Sequence, residues 1–279
     1  MGKVKDQMMG NIPEILTFTA PTQAIIRDRW GRPLIEPIGG GKAIPYTRVS
    51  TLAKALDDKT GLTKWMQRMV LEGVSSRPDL AALASAAKGD AKQLGKIVEL
   101  AMAAAESDRA ANLGTAIHSF TERIDAGDRL DTIPVEHRPD LIAYIEAMQN
   151  IEIVATELFV VVDEVEAAGT FDRLVRLPDG RVMVADVKTG ANEPKFPHGA
   201  ATQIAIYAHG HLYDPEKGRM AHLPSVGVST DTGLLVHMPV GTGRCDLYLI
   251  DLTTGWQLAK TAVAVRDAYK QKPLTPYTP

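Results

Sequence analysis

The stretch that most limits what this chain can become runs from Gly169 to Gly190, GTFDRLVRLPDGRVMVADVKTG. Two strand-like runs, TFDRLVRL and RVMVADVK, flank Pro178-Asp179-Gly180. That tripeptide suits a three-residue hairpin loop: Pro and Asp take the type I turn, and Gly supplies the left-handed residue that closes it with a bulge. Loop length then sets the register. Pairing Leu177 with Arg181 and counting outwards puts Asp172 opposite Asp186 on one face, and the strand period of two adds Lys188 to it. A two-residue loop would instead set Asp172 opposite Val187 and send the two carboxylates to opposite faces. The tripeptide favours the first arrangement.

Two carboxylates and a lysine side by side are a poor choice for stability. Like charges that close repel, and each raises the other's pKa unless a cation lies between them. Converging carboxylate oxygens suit a hard ion such as Mg²⁺ or Mn²⁺. Asp-x-Lys on a strand is also what an ordinary solvated sheet face carries, so the neighbouring segments decide between the two readings.

Upstream, GTAIHSFTERI at 114–124 has a helical pattern that sets His118 and Glu122 one turn apart on the same side. IVATELFVVVD at 153–163 reads as a strong strand, with Glu157 the charge nearest its middle. Downstream, ATQIAIYAHGHLY reads as a helix with Gln203 and Tyr207 at i, i+4. His209 and His211, only two apart, are poorly placed for a shared metal on one helix and read as surface residues.

Gly114-Thr-Ala-Ile-His118, Gly169-Thr-Phe-Asp172, Asp186-Val-Lys188 and Gln203-x-x-x-Tyr207, in this order, resemble the motifs of the PD-(D/E)XK nuclease superfamily. The histidine motif is similar to that of its RecB-type branch, which includes phage and CRISPR-associated exonucleases. The resemblance covers roughly residues 114 to 210. It implies an α/β, restriction-endonuclease-like core: a mixed β-sheet flanked by helices, here with an N-terminal helical elaboration. It also implies that His118, Asp172, Asp186 and the backbone carbonyl of Val187 bind one or two Mg²⁺ or Mn²⁺ ions. Lys188 would orient the attacking water or neutralise the transition state. Gln203 and Tyr207 would contact substrate phosphate or hold the catalytic strand. Glu157 resembles an extra acidic residue that several family members carry before the second motif, and Glu122 would orient the His118 ring. The implied activity is DNA phosphodiester hydrolysis, by an exonuclease more than an endonuclease, in recombination, repair or phage DNA processing, with a recombination or repair protein as a further partner. A catalytically idle DNA-binding or structural module of the same fold, and a nuclease acting on RNA, stay open as alternatives.

Composition sets outer bounds. At 279 residues the chain suits one elaborated domain or a core with a smaller companion, and 45% hydrophobic residues is ordinary for a globular protein. No run of about 18 apolar residues suggests a membrane span. The start, MGKVKDQMMGNIPEIL, lacks the apolar core of a secretory signal, so the expectation is a cytoplasmic protein. The single cysteine, Cys245, excludes an intramolecular disulfide and a four-cysteine iron–sulfur site, a departure from cluster-bearing RecB relatives. A net charge of −3 gives no global attraction to DNA. A local basic groove is needed, for which Lys64, Arg68, Lys88, Lys92 and Lys96 are candidates, although each also suits a solvated helix face.

The expected organisation is a β-rich segment over 1–48, a helical subdomain over 49–113, the core over 114–270 and a mobile tail over 271–279. AIIRDRWGRPLIE reads as a hairpin turning at Trp30-Gly31. IGGGKAIPYT is not a phosphate-binding loop, because Glu36 replaces the first required Gly and Ala43 follows Lys42. VSTLAKALDDKTG reads as a helix capped by Thr47 or Ser50. The end reads as two strands, TGLLVHMPV and CDLYLIDL, joined by Gly241-Thr-Gly243, and a helix starting at Trp256.

Overall fold

In the computed structural model, which describes residues 21, 23–191, 194, 197–272, 274 and 275, the Pro-Asp-Gly loop closes its hairpin with three residues. The Leu177 N–H donates to the Arg181 carbonyl and the Gly180 N–H to the Leu177 carbonyl, both at 2.9 Å. Gly180 takes the required left-handed conformation at φ 89°. Most of the expected tail lies outside the described residues.

The short strands β1 (Leu34–Ile35), β2 (Ile44–Pro45) and β3 (Thr47–Arg48) come first. Six helices follow: α1 (Val49–Ala53), α2 (Thr60–Ser76), α3 (Pro78–Ala86), α4 (Ala91–Ala104), α5 (Arg109–Asp125) and α6 (Arg138–Met148). Then come β4 (Glu152–Val162), β5 (Ala167–Arg176), β6 (Val182–Lys188) and α7 (His198–Ala208). The chain continues through β7 (His211–Asp214), β8 (Gly218–His222), β9 (Thr232–His237), β10 (Asp246–Asp251) and α8 (Leu252–Ala268). Among the described residues no helix is long and apolar enough to cross a membrane.

The chain divides into two compact units, one of them Asp57–Ser119 and the other joining the chain up to Leu56 with that from Phe120. The boundaries differ from the expected ones at 48 and 113. Much of the expected β-rich segment, 1–20 and 22, lies outside the described residues; Thr47 to Leu52 belong with the sheet because β3 pairs in parallel with the start of β5, and Val49 and Leu52 are buried in the sheet's core. α1 is also shorter than expected. Its N-cap is Arg48, with no side-chain cap, so neither Thr47 nor Ser50 serves that role. The turn at Trp30-Gly31 forms, with the Gly31 N–H donating to the Asp28 carbonyl at 2.9 Å.

In the helical unit, α4 is capped by Asp90, whose carboxylate accepts from the Lys92 and Gln93 N–H groups at 3.0 Å. Small residues let α2 and α4 approach closely: a Cβ on Gly73 would lie 1.8 Å from the Ala101 carbonyl oxygen.

The other unit is built on an eight-stranded mixed sheet ordered β10-β9-β6-β5-β4-β7-β8, with β3 on the early part of β5. β6 runs parallel to β9 and antiparallel to β5. The fold is therefore α/β with helices on both faces. On one face α1, α7 and α8 close the main core over Val160, Leu174 and Val184. On the other, Tyr144 of α6 and Asp125 at the end of α5 meet the fully buried Arg173 of β5. The Arg173 Nε donates to Asp125 Oδ2 at 2.6 Å, and the Tyr144 hydroxyl donates to Asp125 Oδ1 at 2.8 Å. Asp140 of α6, also buried, accepts from the Gly241 and Gly243 N–H groups at 2.8 Å and fixes the β9–β10 loop.

The β7–β8 hairpin is absent from the sequence reading, because its strands of four and five residues follow directly on a helical pattern. The two histidines read as surface residues are half-buried. His211 starts β7, half-buried, as the cross-strand partner of His222. His209 stacks flat on Trp256 with ring centroids 4.0 Å apart. α8 starts four residues before Trp256, at Leu252, because Asp251 caps it through the Thr253 and Thr254 N–H groups at 3.0 and 3.2 Å.

α7 and α8 touch at glycine. A Cβ on Gly255 would lie 2.4 Å from the Ala201 carbonyl oxygen of α7. Gly255→Ala must therefore push the helices apart, and overpacking of this kind costs about 1–3 kcal/mol. Thermal melts are expected to show a clear loss for Gly255→Ala and no loss for Gly61→Ala, which points into open space on α2.

Candidate functional site

β6 is an interior strand, with β5 on one side and β9 on the other, and Val182 to Val187 are all buried. A polar group there must find partners, because burying an unpaired charge costs several kcal/mol. Asp186, 2% exposed, sits among apolar neighbours and pairs in register with Leu235. Its Oδ2 lies 2.6 Å from the Lys188 ammonium, which shares its face. Its Oδ1 accepts from the Gln203 side-chain amide at 3.1 Å, and Lys188 in turn reaches the Gln203 carbonyl oxygen at 3.4 Å. The ion pair with Lys188 is the close polar contact of that buried oxygen.

The hairpin register follows the expected one, from Arg176↔Val182 to Arg173↔Ala185. One further step sets Asp172 opposite Asp186. There the ladder ends, and Asp172 Oδ2 accepts the Val187 N–H at 2.8 Å, standing in for a strand carbonyl. Val187 itself pairs with Val236 of β9.

Glu157 lies within β4 between the pairs Thr156↔Arg173 and Leu158↔Phe171, which places it beside Asp172. On its other side β4 pairs with β7 only at Val160 and Val161, beyond Glu157. Its φ of 54° is a left-handed value in a central strand, a conformation that costs on the order of 1–3 kcal/mol and is held by its surroundings. Burial, then the charges of Glu122 and Asp172, push its carboxyl up to about 7, with Arg173 opposing them. Glu122, in the last turns of α5, is also raised, by burial first, with Arg173 lowering and Asp172 raising it. Asp186 is raised by burial, against the pull of Lys188 and with the push of Asp172.

Gln203 and Tyr207 share the face of α7 that meets these groups, as their spacing requires. Tyr207 is buried, hydrogen-bonds Gln203 and packs on Phe171 with ring centroids 5.8 Å apart. Burial and then the charges of Asp186 and Asp172 hold its hydroxyl well above the usual phenol range. The glycine of GTFD has a role here, since a Cβ on Gly169 would lie 3.3 Å from the Tyr207 hydroxyl.

Asp172, Asp186, Lys188, Gln203, Tyr207 and Glu157 thus gather in the sheet unit, with Glu122 beside them. His118 belongs to the helical unit, near the middle of α5 and one residue before that unit ends at Ser119. Lys64, Arg68, Lys88, Lys92 and Lys96 of that unit are exposed.

Two residues escaped the sequence reading. Arg173 looks like a solvent-facing strand residue, yet its charge lowers the carboxyls of Glu122, Glu157 and Asp186, and its Nη1 and Nη2 make no hydrogen bond. Strand alternation was the available signal: a neighbour of Asp172 in the hairpin must face the opposite helix layer. His237, the β9 partner of Lys188, is 2% exposed and its Nε2 is 2.9 Å from the Gly190 carbonyl oxygen, which fixes the chain just after Lys188.

The donors on offer are carboxylate oxygens, one of them buried and without a hydrogen bond. That set suits a hard divalent cation, which would also relieve the repulsion among the carboxylates. Among the described residues no group of three or more His, Cys, Asp and Glu side chains is arranged to enclose a metal. No family model and no curated protein matches this chain. Among solved structures it is similar to the crystal structure of SSO0001, with 16% identity, 74% of this chain and 87% of that chain covered, and a TM-score of 0.27. Likeness at that level carries no argument.

The Glu157 carboxyl gives a pH prediction for the metal-free protein. Its folded value of about 7 lies above the ordinary 4.5, so between them the folded state binds more protons than the unfolded state. Stability must fall as pH rises through that window. Glu157→Gln removes the ionisation. In EDTA the variant is expected to melt above wild type at about pH 8, with the gap closing as the pH falls through the window. A gap independent of pH would contradict the assignment.

Proposed function

We propose that this chain is a divalent-metal-dependent nuclease that hydrolyses phosphodiester bonds in DNA. One observation carries the reading: a buried Asp186 within 2.6 Å of the Lys188 ammonium and 3.1 Å of Gln203, with Asp172 holding the intervening backbone N–H. A core built for stability alone has no use for a second carboxylate and a lysine at that point. Their order along the chain is that of the nuclease motifs they resemble.

Asp172 and Asp186 would hold the Mg²⁺ or Mn²⁺ ion; roles for His118 and the Val187 carbonyl rest on the resemblance alone. Such an ion, when bound, supplies positive charge for the scissile phosphate and lowers the pKa of a coordinated water. Lys188, whose side chain is 40% exposed, reaches from the buried carboxylate towards solvent. It would donate to an attacking water or to the negative charge carried by the phosphoryl oxygens in the transition state. Gln203 bridges Asp186 and Lys188 and fixes their relative orientation, and Tyr207 supports Gln203 from below. Exonucleolytic action in recombination, repair or phage DNA processing, with a partner protein from that setting, follows from the resemblance.

End-labelled single- and double-stranded DNA and RNA, incubated with and without Mg²⁺ or Mn²⁺, test the proposal. Wild type is expected to degrade DNA only with the metal. Asp172→Ala and Asp186→Ala should each lower the rate by at least about 10³-fold, or roughly 4 kcal/mol of barrier. Lys188→Ala should lower turnover and leave metal affinity close to normal. Activity within tenfold of wild type in either aspartate variant would overturn the site, and cleavage of RNA alone would change the substrate.

A further inference from the structure

On the far side of the sheet's order from β9 and β10, the outer hairpin places two imidazoles across from each other. His211 opens β7 and His222 closes β8, and their Cα atoms are register partners in the antiparallel pair. The ring centroids are 4.5 Å apart with the planes 30° from parallel. Both side chains are only half-buried, so an ion from solvent can reach them. We propose that His211 and His222 form a two-imidazole binding site for a borderline transition-metal ion of the Zn²⁺, Ni²⁺ or Cu²⁺ class.

The chemistry of the donors sets the class of ion. Neutral imidazole binds Zn²⁺, Ni²⁺ and Cu²⁺ and has little affinity for Mg²⁺, whereas carboxylate oxygens also accept Mg²⁺, which in large excess can occupy them. Burial, and then the neighbouring His222 ring, lower the His211 imidazole from its ordinary value, which favours the neutral ring that presents a lone pair. The surroundings select the nitrogen. The His222 Nδ1 is 2.9 Å from the Ser225 hydroxyl, and the tautomer that donates there leaves the Nε2 lone pair free, which metal binding favours. The charges of Asp163 and Arg219 act on His211 with opposite sign, and the two are themselves paired, Arg219 Nε donating to Asp163 at 2.7 Å. Binding requires the rings to turn out of their stacked arrangement so that a nitrogen of each meets one ion at roughly 2.0–2.1 Å, with water completing the coordination.

The position gives the ion a role. β8 is the outermost strand, and the register of the β7–β8 pair slips between Tyr213 and His211. Beyond that slip His211↔His222 is the one pair joining the strands. An ion shared by the two rings fastens the open end of this edge hairpin. The inference is independent of the nuclease reading.

Cu²⁺ electron paramagnetic resonance, with the full-length EDTA-stripped protein, equimolar Cu²⁺ and millimolar Mg²⁺ to saturate the carboxylates, tests it. Wild type and Asp186→Asn should both show hyperfine structure from two imidazole nitrogens. His222→Ala, at the half-exposed strand end, should lose it, and Ser225→Ala should weaken binding by about tenfold. If His211→Ala fails to fold, His222→Ala and His222→Gln decide alone. A wild-type spectrum without two-nitrogen coupling, or one that survives unchanged in His222→Ala, overturns the site.

Discussion

Burying the Asp186 carboxylate in an interior strand imposes a demand that much of the sheet unit meets. Desolvating such a group costs several kcal/mol even after relaxation. Asp172, one register step away, makes the balance worse: at about 5 Å and an effective dielectric near 20, two like charges repel by roughly 3 kcal/mol. The compensating groups come from two elements, β6 and α7. Lys188 lies two residues along β6, Gln203 is brought in by α7, and the Val187 N–H absorbs charge on Asp172. α7 is held against the sheet by Ile204 and Ala205 and against α8 at Gly255, so the site and the tight helix packing are one requirement.

The second counter-charge comes through the sheet. Arg173 points to the opposite helix layer, where Asp125 and Tyr144 hold it, yet its field reaches Glu122, Glu157 and Asp186. Lys188 on one face and Arg173 on the other thus bracket the carboxylates. Opposition is still incomplete, as the raised Glu122, Glu157 and Asp186 carboxyls show. Together with the left-handed Glu157, this is stored unfavourable energy at one place, which native proteins tend to keep where a ligand will relieve it.

What the sequence revealed and what it hid follow from the range of the forces involved. The Pro-Asp-Gly loop is local, so the register it implies holds as far as Arg173↔Ala185. The i, i+4 spacing of Gln203 and Tyr207 is local too, and both reach the carboxylates. The length of α1 was not legible, because its end depends on where Val49 and Leu52 meet the core. The β7–β8 hairpin was hidden because its short strands gain their pairing from the edge of β4. Arg173 and His237 escaped for the same reason: each is a polar residue whose partner, Asp125 or Gly190, is 48 or 47 residues away.

The central claim is that Asp172 and Asp186 share one cation site whose charge is unbalanced until the ion arrives. Thermal melts of wild type and Asp186→Asn, in EDTA and in millimolar Mg²⁺ at about pH 8, test it most directly. Asn keeps the shape and removes the charge. Without metal the variant should be the more stable by about 1 kcal/mol, since repulsion from Asp172 and the burial cost both fall. Mg²⁺ should then raise the wild-type melting temperature, leave that of Asp186→Asn nearly unmoved, and reverse the order, because a ligand stabilises only the protein that holds it. If the metal-free variant melts below wild type and Mg²⁺ shifts neither, the two carboxylates do not share a site.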